Sequence, residues 1–325
     1  LAFLDVPSSA SLTTAQNAWL DSREPYLQTE VYRFYDGPID NPDTGVEGLL
    51  NAWPLDESYI DYTVDDASSG IINDTSVTID ADTLMSMNEQ GGEENIATGF
   101  HAIEYLLWGQ DLSADSAGTR PFTDFVVDGS GTAANQDRRA LYLETASSLM
   151  IEHLQEVQAA WAPDSENYRS EFLAMDSEEQ LRMIMTGMII LTGFETGGER
   201  LQTALDSGDQ EDEHSCFSDN THRDMIQDVQ GVQNVYLGNY GSVSGLGIKD
   251  IVAEVDADLA ERIDTEIQAA LDAGNALVVP FDNEIAMDNT DGRERVQTLI
   301  TNLRTVEQSL EEAFRAFGLA VPVAE

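Results

Sequence analysis

The sequence predicts an all-α protein made of two packed helical bundles, and three observations predict it. Apolar residues recur at helical spacing over long stretches, while runs that alternate apolar and polar are short and few. Gly, Pro, Asn, Ser and Asp gather into separate breaker segments at 36–92, 113–120, 207–220 and 238–247. The 325 residues, 42% hydrophobic and 8% aromatic, suffice for two domains of ordinary size or one large one, so the organisation has to be read along the chain.

Thr13 to Phe34 reads as a first helix, interrupted at Pro25 and closed by Asp36-Gly37-Pro38. Residues 36–92 form a long, partly irregular excursion with helical pieces near 46–50 and 56–62; such excursions inside compact domains tend to be functional. Helical pattern resumes from Glu93 through Trp108. Asn135 to Trp161 is the cleanest amphipathic stretch, with Leu141, Ala146, Leu149, Leu154 and Val157 near one stripe. Trp161-Ala162-Pro163 ends it and places the boundary between an N-terminal bundle, 1–163, and a C-terminal bundle, 164–325. The second half repeats the style with helices at 165–175, 177–206, 221–237, 248–273 and 293–317. Thr98-Gly99-Phe100 and Thr192-Gly193-Phe194, each followed by acidic residues, hint at an internal duplication.

Charge narrows the function. The chain carries 61 acidic against 15 basic side chains, a formal net charge of -46, and Lys249 is its one lysine. Nucleic acid and anionic membranes are repelled by such a surface, whereas cations gather at it. A solvated surface suited to a saline habitat accounts for the same balance. Cys216 is the single cysteine, so an internal disulfide and a thiolate-rich zinc or iron–sulfur site are both excluded. No apolar run approaches the roughly 20 residues that span a bilayer. The chain opens on Leu1-Ala2-Phe3-Leu4 without an initiator Met, as a chain trimmed of a leader would.

Two places concentrate chemistry. Gly99-x-His101-x-x-Glu104 falls within the 93–108 helix, where residues three apart share a face and imidazole and carboxylate can converge on a metal ion. The same spacing also makes an ordinary helical hydrogen-bonded pair with Gly99 as a packing position, and two ligands are too few for a tight site. Glu211 to His222 is the second cluster, with His214, Cys216, Asp219 and His222. It reads as a metal-binding loop or as a solvated acidic turn that caps the next helix. Upstream acids raise the Cys216 thiol and count against cysteine catalysis. Arg33, in an aromatic-rich helix end, is placed to orient a buried acid or to close an internal ion pair. The methionines at 183, 185 and 188 read as core.

Taken in order, these phrases resemble the imelysin family over nearly the whole chain. They are Trp19-x-x-x-Arg23-x-Pro25-Tyr26, Tyr32-Arg33-Phe34 through Asp40, Asn51-x-Trp53-Pro54-Leu55-Asp56, Asn95 through Glu104 with Leu106-Leu107-Trp108-Gly109, and Glu211 through His222. The resemblance implies two helical bundles, export to the periplasm or cell surface with attachment through a removed N-terminal segment, and a link to iron uptake. It implies that Gly99, His101 and Glu104 are the family's signature and metal site. On this basis the expected function is a metal-binding protein of iron acquisition, with His101, Glu104, His214 and Asp219 as ligands. Iron is the expected metal and zinc the second choice, delivered as an ion or a chelate and passed to an uptake partner in the envelope. The alternative is a metallopeptidase using the same pair, with an acid such as Glu199 activating water. It lacks an identifiable third ligand and base.

Overall fold

The computed structural model describes residues 2–322. The chain separates into two compact units: one takes residues 1–22 and 45–162, the other 23–44 and 163–325. Both are helical, and the described strands amount to one short hairpin. The protein is therefore all-α.

The first unit contains α1 (Ala2–Asp5), most of α2 (Ser9–Leu27), α3 (Glu47–Leu50), α4 (Glu57–Ile60), α5 (Ala81–Met87), α6 (Gly99–Trp108) and α7 (Gln136–Ala160). Its centre is α6, all ten residues of which are buried. A helix apolar on every side has to be wrapped by its neighbours. Trp19 of α2 meets Trp108 edge-on at 5.4 Å, and its indole N–H donates to the Phe100 carbonyl at 2.9 Å. From α7, Tyr142 donates to the Ala97 carbonyl at 2.7 Å.

The excursion over 36–92 is tied down where it lacks regular structure. Arg138 of α7 donates to the carbonyls of Ile71, Ile72, Asp74 and Val77 at 2.7–3.0 Å. One guanidinium so satisfies four acceptors that no ladder reaches. Below it Asp61, fully buried, takes a two-pronged contact from Arg139 at 2.6 and 2.8 Å and a third from Arg120 at 2.8 Å. Burial alone would raise the Asp61 carboxyl, yet Arg139 and Arg120 hold it below its ordinary value.

The second unit adds a 3-10 turn Glu30–Tyr32, then α8 (Tyr168–Ala174), α9 (Ser177–Ile190), a π-helix Leu191–Gln202 and α10 (Thr203–Ser207). After a 3-10 turn Gln210–Asp212 come α11 (Thr221–Leu237), the hairpin Asn239–Tyr240 and Val243–Ser244, α12 (Ile248–Val255), α13 (Ala257–Asn275), α14 (Phe281–Ile285) and α15 (Thr290–Ala316). Its core joins Met185 and Met188 to Val229, Ile263, Ile267, Leu303 and Leu310. The helical stretch 177–207 is thus continuous in direction but changes its hydrogen-bond period midway.

Three local expectations are corrected, and the internal duplication gains no support. The helix bearing His101 starts at Gly99 rather than Glu93, because Asn88 Oδ1 accepts the N–H groups of Ala97 and Thr98 at 2.8 and 3.2 Å and holds them out of a helix. The stretch at 248–273 breaks at Asp256, whose carboxylate caps α13 through the Leu259 N–H at 2.9 Å. In α7 the Leu141 side chain is 45% exposed, and the buried face runs through Tyr142, Leu143, Ala146 and Leu149. The two Thr-Gly-Phe phrases occupy different structures, one at the start of α6 and one inside the π-helix, so they do not support a duplication. No described helix is long and apolar enough to cross a membrane.

Candidate metal centre

Gly99 sets the geometry of the first candidate. Its φ is +86°, and a Cβ there would lie 2.5 Å from the Leu50 carbonyl oxygen. Only glycine combines that backbone angle with that approach. The chain turns sharply at this point, so His101 enters in the first turn of α6 with Glu104 one turn behind it.

His101 Nδ1 lies 2.8 Å from Glu104 Oε2, and both side chains are essentially buried. An ionised carboxylate at this distance accepts from Nδ1–H of the imidazole. With Nδ1–H donating, Nε2 carries the lone pair, and that is the atom that can bind a metal. A carboxylate on the far nitrogen of a ligating histidine fixes the tautomer and raises its basicity.

His214 and Asp219 belong to the other unit. His214 Nδ1 lies 2.7 Å from Asp224 Oδ2, so this imidazole too is oriented by a buried carboxylate. Asp224 also receives Arg23 Nη2 at 2.8 Å, Ser215 Oγ at 2.5 Å and Asn220 Nδ2 at 2.9 Å. Burial opposes its charge, but Arg23 and His214 hold the carboxyl far below the usual carboxylate range. Asp219 adopts φ +56° just before α11, and its carboxylate lies within 4.8 Å of that of Asp282. His222 Nδ1 contacts the Asp219 carbonyl at 3.2 Å; burial and then Arg223 lower its pKa. Cys216 is buried and free of any disulfide.

The remaining candidates fall on the π-helix and its partners. Hydrogen bonding from i to i+5 stacks residues five apart, which brings Glu195 onto Arg200 at 2.9 Å. Arg200 also reaches Glu30 at 2.8 Å and Asp228 at 2.9 Å. Arg33 pairs with Glu30 at 2.8 Å, so the internal ion pair is what the structure shows for it. Burial alone would lift Glu30, but Arg33 and Arg200 hold it well below its ordinary value. Asp228, where burial outweighs Arg200 and Glu30 repels, is pushed up to about 8. Glu199 is exposed.

Sequence reasoning missed Asp224, Asp228 and Asp282, the carboxylates around which the second unit organises its polar interior. The available signal was helical spacing in Thr221–Leu237, where Asp224 and Asp228 stand four apart on one face. Asp282 carried no signal, being one acid in an acidic loop.

The family model described as imelysin matches residues 1–310. Iron-regulated protein A of Synechococcus elongatus is 24% identical over 319 residues, which cover 95% of this chain and 76% of that protein. A crystal structure of a protein from Parabacteroides distasonis, described as an iron-regulated protein A precursor, superposes with a TM-score of 0.67 at 20% identity. It covers 95% of this chain and 86% of the other, a likeness of fold. The family match runs through both units and takes in His101, Glu104 and the whole 211–222 segment, and the chain belongs to the imelysin family.

Proposed function

We propose that this chain is a metal-binding protein of iron acquisition at the cell envelope, in which His101 supplies the ligand atom and Glu104 orients it. The observation that carries the reading is the 2.8 Å contact between His101 Nδ1 and Glu104 Oε2 inside a fully buried helix. Neutral imidazole is a donor for iron, zinc, copper or nickel, and an imidazole preset by a carboxylate binds with less reorganisation. One imidazole fills one coordination position. That suits an iron that arrives with other ligands of its own, as a chelate does. Iron is favoured over zinc because the similar protein of Synechococcus elongatus is described as iron-regulated. Export and an envelope uptake partner follow from the resemblance to the family. The acidic surface suits a carrier that gathers cations before one of them is bound.

The test is metal analysis of full-length protein purified without a histidine tag after exposure to ferric chelate or Fe(II). Stoichiometric iron in the parent and none in His101→Ala is the expected result. Glu104→Gln keeps the shape and removes the charge, and it should weaken binding about 10–100-fold, as loss of an outer-shell partner does. Equal iron content in the parent and His101→Ala would sink the reading. Proteolysis of an unfolded protein that stops with chelator would instead restore the peptidase alternative.

A further inference from the structure

Acidic side chains stand at about one position in five along this chain, 61 in 325 residues, but from Val229 through Lys249 there is none. That is the longest acid-free stretch in the sequence, and its middle lies on the surface of the second unit. Residues 239–246, Asn-Tyr-Gly-Ser-Val-Ser-Gly-Leu, are all exposed. The short hairpin pairs Tyr240 with Val243, which puts the two side chains on one face. Gly241, at φ +56°, opens the two-residue turn between them, where a tight hairpin needs a positive φ. A Cβ at Gly241 or Gly245 would meet nothing within 4 Å, so the loop stands clear of its own unit.

Three apolar side chains are displayed on it. Tyr240 is 57% exposed, Val243 68% and Leu246 88%, the last being the most exposed large apolar side chain among the described residues. Single exposed apolar residues are ordinary. Three on one charge-free loop, in a protein of net charge -46, mark a contact surface.

Such a loop suits either a second protein or a lipid surface. A stable protein interface takes about 20–30 residues a side. Here eight exposed residues are available before acidic side chains resume at Asp250, and a second copy would set carboxylates against carboxylates. A lipid surface asks for less. Aliphatic side chains at a loop tip enter the boundary between headgroups and acyl chains, tyrosine sits at the level of the headgroups, and no charge has to be desolvated.

We propose that residues 239–246 form a membrane-contact loop, in which Val243 and Leu246 enter a zwitterionic lipid surface and Tyr240 rests at its boundary. The acidic remainder of the surface repels anionic lipid, so neutral headgroups are preferred. The loop shares no residue with the candidate metal centre and does not depend on the reading of His101.

Flotation of the full-length protein with phosphatidylcholine vesicles, in about 0.3 M potassium chloride, tests it. The parent should float with the vesicles. Leu246→Asp should lower its partition at least about tenfold, and Val243→Ser should lower it less. Val127→Ser removes an equally exposed valine from the other unit and should leave partition as it was. Phosphatidylglycerol vesicles should bind the parent more weakly, most of all at low salt. Because the substituted side chains are exposed, circular dichroism should find every variant folded. A parent that does not float, a Leu246→Asp protein that floats as the parent does, or tighter binding to phosphatidylglycerol would each overturn the proposal. A dimer in analytical ultracentrifugation that Leu246→Asp dissociates would assign the loop to a second copy and overturn it as well.

Discussion

Each unit holds a buried histidine whose Nδ1 meets a buried carboxylate, and the two carboxylates differ in what else they serve. Glu104 stands three residues from His101 on one turn of α6, so the pair is made wherever that helix forms. Asp224 stands ten residues from His214 across a loop, and it is shared with Arg23, Ser215 and Asn220. The first arrangement is local and polarises one imidazole. The second is a hub that ties the end of α2, the 213–220 loop and the start of α11 together, and its charge is largely spent on Arg23. The same two side-chain types therefore make a poised donor in one unit and a structural knot in the other.

Removing Arg23 is the strongest way to break that contrast. Arg23→Met leaves Asp224 buried without its cation, and loss of one partner from a buried pair costs about 3–5 kcal/mol. All four tryptophans lie in the first unit, so their fluorescence should change little. Hydrogen exchange along Thr221–Leu237 should accelerate instead. Adding Asp224→Asn should recover part of the loss. The pH dependence has a definite sign. A carboxyl depressed in the folded state contributes stability that is complete above its unfolded pKa of about 3.9 and drains away as acid protonates it. The parent should show this acid limb below about pH 4, and Arg23→Met should show a shallower one. An undiminished limb would mean that Arg23 does not set the Asp224 charge.

Gly99→Ala probes the other unit. The new Cβ would meet the Leu50 carbonyl at a backbone angle of +86°, and a non-glycine residue held in that region costs of order 1–3 kcal/mol before any clash. Tryptophan fluorescence should report this change, since Trp19 and Trp108 pack on α6. Metal uptake should fall with it as the start of α6 shifts under His101. Full stability and full iron content in Gly99→Ala would show that the turn at Gly99 does not position the histidine.

What the sequence made legible follows the same division between local and long-range. The His101 and Glu104 pair, the all-helical class, the Thr221–Leu237 helix and the methionine core all rest on period and spacing. Contacts such as Asp224 with Arg23 join residues 201 apart, and a single sequence holds no trace of them. Helix ends failed where a side chain outcompeted the period: Asn88 unwound 97–98 and Asp256 split α12 from α13. Leu141 failed because a 25-residue helix with apolar residues on more than one side does not say which stripe is covered. The roles inside the pair were also illegible. Spacing places a carboxylate near an imidazole without saying which nitrogen it meets.

The finest test of the contrast is His214→Gln, because the expected effect on metal is small. If His214 serves the knot, Asp224 keeps Arg23, Ser215 and Asn220 after the substitution. The amide of Gln can donate toward the carboxylate in place of Nδ1–H. Iron affinity should then change by less than the roughly tenfold that loss of a genuine outer-shell partner produces. A tenfold fall in iron affinity in a folded His214→Gln protein would instead make this imidazole a ligand, and the two buried histidines would have to be read as equals.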